Sequence, residues 1–411
     1  MFFDIPEGSK LILAGNGVTL DEYREFIDTY YLYYEITAIA DTKVYEKKEY
    51  LRGLDIVPYE EWELKDGILV LFGKTWFKDG EDLHQCGYTL IRDFIPAWFF
   101  KVGFKENLIS LKKLQENMND GVPEQYFRYI AYSKKIAVTY GDGNIPKINR
   151  VLSRTKKFCN DYVIISLPPV QSIAKKQAFV CEEIWKYISL FFVQSIKQNS
   201  LISEEYTVDA VKSKLRRNCK VITFPVLSFW GYFPQAVVNK SALKTINGEL
   251  SVVMFPYADK YIEEKISKGM DIENIVEILE DNSNYLCENI QRFCEEKILD
   301  IEELEQNSDI KYSKWLRENY KKHKLFLNPS LPSYALIKYI VTELLNKLGY
   351  HKDVINERDL VLNEYGEMPI YNMVAKALSL SFDASRVKWI DNTDIDYSGY
   401  VKEYVDEYRR K

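Results

Sequence analysis

The chain has 411 residues, which is too long for one ordinary hydrophobic core and suits two domains. Hydrophobic residues make up 46% of it and charged residues 28%, a composition typical of globular and not of disordered proteins. The net charge of -6 disfavours nucleic acid as a partner. We find no signal peptide, no apolar stretch that could span a bilayer and no cysteine framework typical of disulfides. We therefore expect a cytoplasmic protein without a transmembrane segment.

Short apolar runs alternate with helical stretches through the first 105 residues. The run KLILA at 10–14 ends at a glycine-rich turn, and a helical stretch follows at about 19–33. The run EITAIAD ends at Asp41, and GILVLF follows at 67–72. This alternation predicts a parallel sheet with crossover helices, and so a Rossmann-like domain over residues 1–105.

The turn after the first run, Gly15-Asn16-Gly17, matches part of the dinucleotide fingerprint. In that motif glycines let a pyrophosphate approach a helix N-terminus, and a later acidic residue binds a ribose. Leu20 replaces the third glycine, and Asp41 has the expected acidic position. We name Gly15, Gly17 and Asp41 as candidate residues for a dinucleotide or a nucleotide-sugar. The alternative is a domain kept as scaffold or interface, because no catalytic Tyr-x-x-x-Lys accompanies the turn.

The next stretch, 106–133, is predicted to be a helical connector, because Leu108, Ile109, Leu111 and Leu114 recur at helical spacing. A second α/β series begins at 134 with the strand IAVTY, the turn GDGN and a helix from about residue 145. Amphipathic helices follow from residue 259, and this domain extends to 392. The last segment, 393–411, is predicted to form a tail helix on the surface.

The most distinctive segment is KVITFPVLSFWGYFPQ at 220–235. Its prolines remove hydrogen-bond donors from a sheet, which disfavours an interior strand. The segment is better interpreted as a strand end followed by a rigid aromatic loop. In an α/β domain such a loop lies over the sheet edge where ligands usually bind.

This aromatic segment resembles the WcbI family of polysaccharide-biosynthesis proteins. Further similar segments follow the family order over about 134–382: IAVTYG, LFFVQSI, SDIKYSKWLRENYKKHKLFLNPSLPS and MPIYNMVAKALSLSF. The resemblance implies an SGNH-like α/β domain with extra C-terminal helices, in a bacterial protein of capsular polysaccharide biosynthesis. It also implies binding of coenzyme A or acyl-CoA, and acyl transfer to a sugar hydroxyl of a glycan precursor. Other polysaccharide-assembly enzymes are the partners expected on this basis.

Two positions depart from the family pattern. Gly143 stands where the family carries a cysteine, and Leu331 takes the position of a histidine. A thiol nucleophile and its base would need both side chains. Asp142 and Asn144 remain as candidate catalytic residues, with Asn144 or backbone N–H groups as donors to an oxyanion. The alternative is a tight turn in which both side chains only cap the following helix.

The candidate substrate-binding residues lie at strand ends or in the loops beyond them. They are Gly141, Gly143, Gln194, Ser195, Trp230, Tyr232, Gln235, Asn328, Ser330 and Ser333. Because parallel strands bring their carboxyl ends to one edge, we predict that 141–144, Gln194 and 232–235 converge on one concave site. We expect no metal ion.

Three hypotheses of function follow. The first is a coenzyme A-dependent acyltransferase acting on a sugar hydroxyl. The second is a non-catalytic relative with a degenerate active site that binds a glycan or coenzyme A. The third is redox or epimerase chemistry in the first domain.

Overall fold

The structure is a computed structural model. It describes residues 8–15, 18–73, 94–97, 108–111, 134–170, 182–196, 204–238, 257–280, 287–351, 367–384, 387–388 and 394–409, except 49 and 52, with a few single residues between these ranges. Two parallel five-stranded sheets form its centre, and helices cover them. No helix in these ranges is both long and apolar enough to cross a membrane.

The first sheet contains the strands that the sequence predicts for the Rossmann-like domain. Its strands are β1 (Lys10–Ala14), β2 (Glu35–Ala40), β3 (Asp55–Val57), β4 (Ile68–Leu71) and β5 (Phe94–Pro96). All neighbours are parallel, in the order β3-β2-β1-β4-β5. After β1 the chain adds β2 and β3 on one side of it, and then β4 and β5 on the other side. The carboxyl end of β1 is therefore a topological switch point.

Two helices belong to this sheet, α1 (Leu20–Tyr30) and α2 (Thr42–Glu46). Helix α1 begins with a capping box, in which Thr19 and Glu22 satisfy each other's backbone N–H groups. It buries Tyr23, Phe26 and Ile27 against the sheet. Their spacing of three and four residues is the amphipathic pattern expected of a helix on a sheet face.

The second sheet is built from β6 (Leu108–Ser110), β7 (Lys135–Tyr140), β8 (Tyr162–Ser166), β9 (Ile188–Ser195) and β10 (Lys220–Pro225). The order is β10-β9-β7-β8-β6, again fully parallel. Strand β7 lies at the centre, with β8 on one side and β9 on the other. The carboxyl end of β7 is thus the switch point of this sheet, where α/β proteins usually bind their ligands.

The predicted helical connector is wrong at its start. Leu108, Ile109 and Ser110 form an edge strand that pairs with β8 from Ile164 to Ser166. Ile109 is fully buried. A short apolar run has the same composition in a buried helix and in a buried strand, so periodicity alone does not separate them.

Alternate residues of the second sheet face two different cores. Ile136, Val138 and Tyr140 of β7 pack into one cluster with residues of the first sheet. Ala137 of β7 and Phe192 of β9 pack into a second cluster with the C-terminal helices. Because side chains of a strand alternate between faces, each face of the sheet buries its own apolar set.

The remaining elements surround the second sheet. The helices are α3 (Ile145–Leu152), α4 (Lys156–Asp161), α5 (Val208–Lys214), α6 (Lys260–Ser267), α7 (Ile272–Glu280), α8 (Cys287–Leu304), α9 (Ser313–Asn319), α10 (Tyr334–Lys347), α11 (Asn372–Ala377) and α12 (Tyr397–Arg409). Three short antiparallel pairs join β11 (Ala236–Val238) to β12 (Tyr257–Asp259), β13 (Phe326–Asn328) to β14 (Leu331–Pro332), and β15 (Val387–Lys388) to β16 (Asp394–Ile395). Short 3-10 helices span Tyr59–Leu64, Glu182–Lys186 and Glu204–Tyr206.

The last helix is not a surface tail. Helix α12 buries Tyr397, Tyr400, Val401, Tyr404 and Val405 in the second core. The Tyr404 hydroxyl accepts from the backbone N–H of Asp259 and also bonds with Glu263. The charged residues of this segment predicted a helix exposed to solvent. Its tyrosines and valines, however, recur at helical spacing and form a buried face.

A glycine at the end of β1 is needed for packing. A Cβ built on Gly15 would lie 2.5 Å from the Tyr23 hydroxyl and 2.5 Å from Cγ2 of Val18. The Tyr23 hydroxyl in turn donates to Asp41 (2.8 Å). We expect Gly15→Ala to lower the free energy of unfolding by about 1–3 kcal/mol, because a crowded core must shift backbone or side chains. Urea unfolding measures this, and a change below about 0.5 kcal/mol would contradict it.

Candidate active site

The candidate site is the turn between β7 and α3, residues 141–144. Asp142 is held from two sides. Its backbone N–H donates to Oε1 of Gln194 (2.8 Å), and Nε2 of Gln194 donates to its Oδ2 (3.1 Å). Its Oδ1 accepts the backbone N–H of Asn144 (2.9 Å). Gln194, near the end of the neighbouring strand β9, is fully buried. One side chain therefore fixes both the backbone and the carboxylate of Asp142.

Burial raises the pKa of the Asp142 carboxyl above its ordinary value, while its hydrogen bonds with Asn144 and Gln194 act in the opposite direction. The side chain is only partly exposed. The carboxylate thus accepts hydrogen bonds from Gln194 and Asn144, one partner on each of its oxygens. A carboxylate with a raised pKa at a sheet edge is suited to accept a proton.

The two glycines of the turn differ in their surroundings. A Cβ on Gly141 would lie 2.6–2.7 Å from Gln194 and 2.9 Å from Ile145, so only glycine lets Gln194 approach the turn. A Cβ on Gly143 would meet nothing within 4 Å, and the residue is exposed. Within the described ranges its backbone N–H donates to no acceptor. Gly143 is therefore an open position with a free donor.

Asn144 connects the turn to the late loop. Its Nδ2 donates to the carbonyl of Ser330 (3.1 Å), and the residue is buried. Asn328 holds the same loop, because its Oδ1 accepts the backbone N–H of Ser330 (3.0 Å). Leu331 follows directly and pairs with Asn328 in the β13–β14 hairpin. Gly143 and Leu331, the two positions that the sequence predicts to depart from the family pattern, thus lie on segments that one hydrogen bond joins.

Two aromatic residues complete this edge. The Tyr257 hydroxyl donates to Oγ of Ser330, and burial raises the pKa of Tyr257. The negative charge of Asp142 also raises that pKa. The ring of Trp230 meets the ring of Tyr257 edge to face, with 5.4 Å between centroids. Sequence reasoning missed Tyr257, because no motif or spacing marks it among 31 tyrosines.

Other predicted residues lie elsewhere. Tyr232 and Gln235 are fully buried: the Tyr232 hydroxyl donates to the carbonyl of Tyr320, and Nε2 of Gln235 donates to the carbonyl of Pro369 (3.3 Å). They support the aromatic loop from inside and offer a ligand no surface here. Ser195 lies 3.4 Å from Ser308, measured between their hydroxyl oxygens. The convergence predicted for 141–144 and Gln194 is therefore present, while the 232–235 part turns inward because its large aromatic side chains enter the core.

A small cavity of about 120 Å³ lies beside the turn. Its lining includes Tyr140, which precedes the turn, and Ile196, which follows β9. Val170 also lines it and donates its backbone N–H to the carbonyl of Gly141 (2.9 Å). Thr207 and Asp209 also line this cavity, so its wall is of mixed polarity.

The predicted nucleotide residues of the first domain have other partners. Asp41 is fully buried and caps α2, with Oδ1 accepting the N–H groups of Lys43 (3.0 Å) and Val44 (3.2 Å). Its Oδ2 accepts the hydroxyl of Tyr23 (2.8 Å). Because Asp41 is fully buried, a ribose could reach its carboxylate only if the surrounding side chains moved. Gly17 lies outside the described residues, so nucleotide binding at this turn stays a prediction.

The arrangement at the second sheet is suited to proton transfer. A partly buried carboxylate, a free backbone N–H at Gly143 and a tyrosine hydroxyl lie at one sheet edge. The described residues hold no group of three His, Cys, Asp or Glu side chains placed to bind a metal ion. They offer no thiol at the turn and no imidazole at Leu331. Among the described side chains of the turn, the Asp142 carboxylate is the group suited to accept a proton.

The chain matches the family model of the polysaccharide biosynthesis enzyme WcbI over residues 137–353, more than half of its length. Among solved structures it is similar to WcbI, described as a novel polysaccharide biosynthesis enzyme, in a native form without a disulfide bond between coenzyme A and a cysteine. The TM-score is 0.54 and the sequence identity 16%, over 68% of this chain and 91% of that one. We find no match among curated proteins. The α/β fold agrees with that structure, and the family model covers the turn, Gln194, Tyr257 and Ser330: the chain belongs to the WcbI family.

Proposed function

We propose that this protein transfers an acyl group from a coenzyme A thioester directly to a sugar hydroxyl, with Asp142 as the general base. The observation that carries the proposal is the Asp142 carboxylate, held by Gln194 and Asn144 at the carboxyl end of the central strand. Family membership supports a role in polysaccharide biosynthesis. The mention of coenzyme A for the similar solved structure supports the choice of thioester.

Direct transfer follows from the residues present. Gly143 has no side chain and Leu331 cannot accept a proton, so the described turn offers no covalent nucleophile and base pair. In direct transfer the hydroxyl oxygen attacks the thioester carbonyl, its proton passes to Asp142, the new ester C–O bond forms, and the C–S bond breaks. The leaving thiolate then takes up a proton. The reaction is balanced without a further reactant.

The residues at the turn fit a thioester. The space above Gly143 is open, and its backbone N–H is available to the oxygen on which negative charge develops. The aromatic faces of Trp230 and Tyr257 are suited to pack against a sugar ring or the adenine of coenzyme A. The thioester supplies the activated acyl group when bound. The protein supplies the base, the N–H donor and a partly dry edge.

The test is acyl transfer itself. Purified protein, acetyl-CoA and candidate sugar acceptors are incubated, and release of free thiol and acetylation of the sugar are followed in parallel. We expect equal amounts of thiol and sugar ester, and no acetyl adduct in the intact-protein mass. A stable acetyl group mapped to a cysteine of this domain would contradict direct transfer.

Gly143→Cys offers a second check, because the open space at this position accommodates a side chain. If coenzyme A binds at the turn, the new thiol should form a mixed disulfide with oxidised coenzyme A, releasing one free coenzyme A. We expect this reaction to be at least about tenfold faster than at Ser267→Cys, an exposed control position, because bound reactants react with high effective concentration. Equal rates, measured by intact mass, would place coenzyme A elsewhere.

The second candidate is a non-catalytic relative that binds a glycan or coenzyme A. In its favour, Gly143 and Leu331, which the resemblance places at a cysteine and a histidine of the family, carry neither a thiol nor an imidazole. This candidate predicts binding of coenzyme A or a glycan precursor without ester formation. Calorimetric binding combined with the transfer assay separates the two.

A further inference from the structure

A larger cavity, of about 500 Å³, lies near the late loop and is lined by none of the residues that surround Asp142. Its lining residues come from the segment 322–327, the start of α10, and the chain around the β15–β16 pair. They are Lys322, His323, Lys324, Leu327, Ser333, Tyr334, Ala335, Glu367, Phe382, Lys388 and Asp394. We propose that this cavity binds a phosphate group carried by an organic ligand.

The N-terminus of α10 provides the first argument. Ser333 is the N-cap residue of this 14-residue helix, and Ser333, Tyr334 and Ala335 all line the cavity. Among the described residues the backbone N–H of Ala335 has no acceptor. Free N–H groups and the helix dipole at an N-terminus together favour an anion.

Ser333 itself provides the second, independent argument. It is 8% exposed, yet its Oγ has no hydrogen-bond partner in the described part of the chain and does not cap the helix. A buried hydroxyl without a partner is costly, and native proteins rarely keep one without a reason. A phosphate oxygen in the cavity would provide the missing acceptor.

Charge provides the third argument. Lys324 is neutralised by Glu367 at 2.8 Å, and both side chains are largely buried. Lys322 and Lys388 remain exposed at the cavity, against the exposed carboxylate of Asp394. Asp394 lies opposite Lys388 in the β15–β16 pair, but within the described ranges no ion pair joins them. The cationic groups therefore outnumber the anionic ones where a phosphate would bind.

The apolar part of the wall indicates what carries the phosphate. Leu327, Ala335 and Phe382 line the same cavity. Inorganic phosphate alone would leave this surface and most of the volume unused. A phosphate monoester or diphosphate with a ring attached suits the cavity better, and both a sugar phosphate and coenzyme A have that chemistry.

The test uses calorimetry at low ionic strength with three probes: inorganic pyrophosphate, glucose 1-phosphate and coenzyme A. In the double variant Lys322→Ala/Lys388→Ala we expect at least about tenfold weaker pyrophosphate binding, because charge-assisted bonds to phosphate are lost. Asp394→Asn should strengthen binding by about two- to threefold, since it removes repulsion. Lys314→Ala, on exposed α9, is the matched control and should change nothing.

Ser333→Ala separates binding from folding. Because the hydroxyl has no described partner in the free protein, its loss should leave the Tm unchanged or raised, while pyrophosphate affinity falls about three- to tenfold. The inference is overturned if wild-type protein binds none of the probes, or if Lys314→Ala weakens binding as much as the double variant. It is also overturned if the double variant and Ser333→Ala bind as wild type does.

The titrations with coenzyme A identify which ligand carries the phosphate. They also test the cavity separately from the proposed acyl transfer. Parallel loss of coenzyme A and pyrophosphate binding in the double variant assigns the cavity to the cofactor phosphates. Retained coenzyme A binding with loss of glucose 1-phosphate assigns it to the acceptor. Phosphate binding through these residues without coenzyme A binding would support the cavity and contradict the proposed function. Coenzyme A binding that every cavity variant leaves unchanged, in a protein that binds neither pyrophosphate nor glucose 1-phosphate, would contradict the cavity and leave the proposed function standing.

Discussion

Asp142→Asn should lower the rate of acyl transfer by about 10²–10⁴-fold and leave coenzyme A affinity within about twofold of wild type. General base catalysis typically contributes a factor of this size. The variant keeps an acceptor for the N–H of Asn144 and changes the volume little, but its Nδ2 cannot accept from Gln194, so we expect it to fold with a modest loss of stability. Steady-state transfer kinetics and calorimetry measure the two effects. Asp271→Asn, at the exposed start of α7, is the control and should retain full activity.

The same group predicts a pH dependence. Burial raises the pKa of Asp142, so its carboxylate takes up a proton at a higher pH than an exposed aspartate does. The base form, and with it the rate, is present at higher pH and lost as the pH falls through the raised pKa. This acidic limb should disappear in Asp142→Asn. An unchanged limb in the variant, or full activity without the carboxylate, would assign the proton transfer to another group.

Gly141→Ala should lower the free energy of unfolding by about 1–3 kcal/mol and reduce transfer strongly, whereas Gly143→Ala should do neither. The two positions belong to one turn. A Cβ at 141 would meet Cβ of Gln194 at 2.7 Å, and that atom cannot swing away as a side-chain end can. Gln194 would have to move and release both of its bonds to Asp142. At 143 a Cβ meets nothing.

Urea unfolding and transfer kinetics on this matched pair test whether Gln194 positions Asp142. If Gly141→Ala loses stability but keeps its activity and acidic limb, the Gln194 contact is structural only. If Gly143→Ala is as damaging as Gly141→Ala, the turn needs both glycines for its backbone, and the packing argument fails.

Local sequence patterns were sufficient to predict several strands of both sheets. KLILA, EITAIA and IAVTY are apolar runs bounded by turns, and they form β1, β2 and β7. The aromatic segment ends β10 at Pro225, as its prolines indicated. The edge strand at Leu108–Ser110 was not predicted, because three residues are too few to show a periodic pattern. The buried face of α12 was not predicted, because the many charged residues of this helix outweighed its buried row of tyrosines.

The candidate site, too, was only partly predictable from the sequence. The turn 141–144 and Gln194 could be paired from sequence, because both follow strand ends that a parallel sheet brings to one edge. Ser330 was named, but its link to Asn144 joins residues 186 positions apart. Tyr257 carries no sequence signal at all. Its contact with Ser330 depends on how the β11–β12 pair packs.

The sequence by itself determined the α/β class and the family, and it shows that positions 143 and 331 carry no thiol and no imidazole, because local periodicity and residue identity are written directly in the chain. Only the tertiary structure decided which polar groups are satisfied. In the folded protein Tyr232 and Gln235 are buried, and Asp41 caps helix α2. It also left Ser333 without a described partner beside a cavity. Burial and hydrogen bonding depend on contacts between segments far apart in the chain, and no local pattern encodes those contacts.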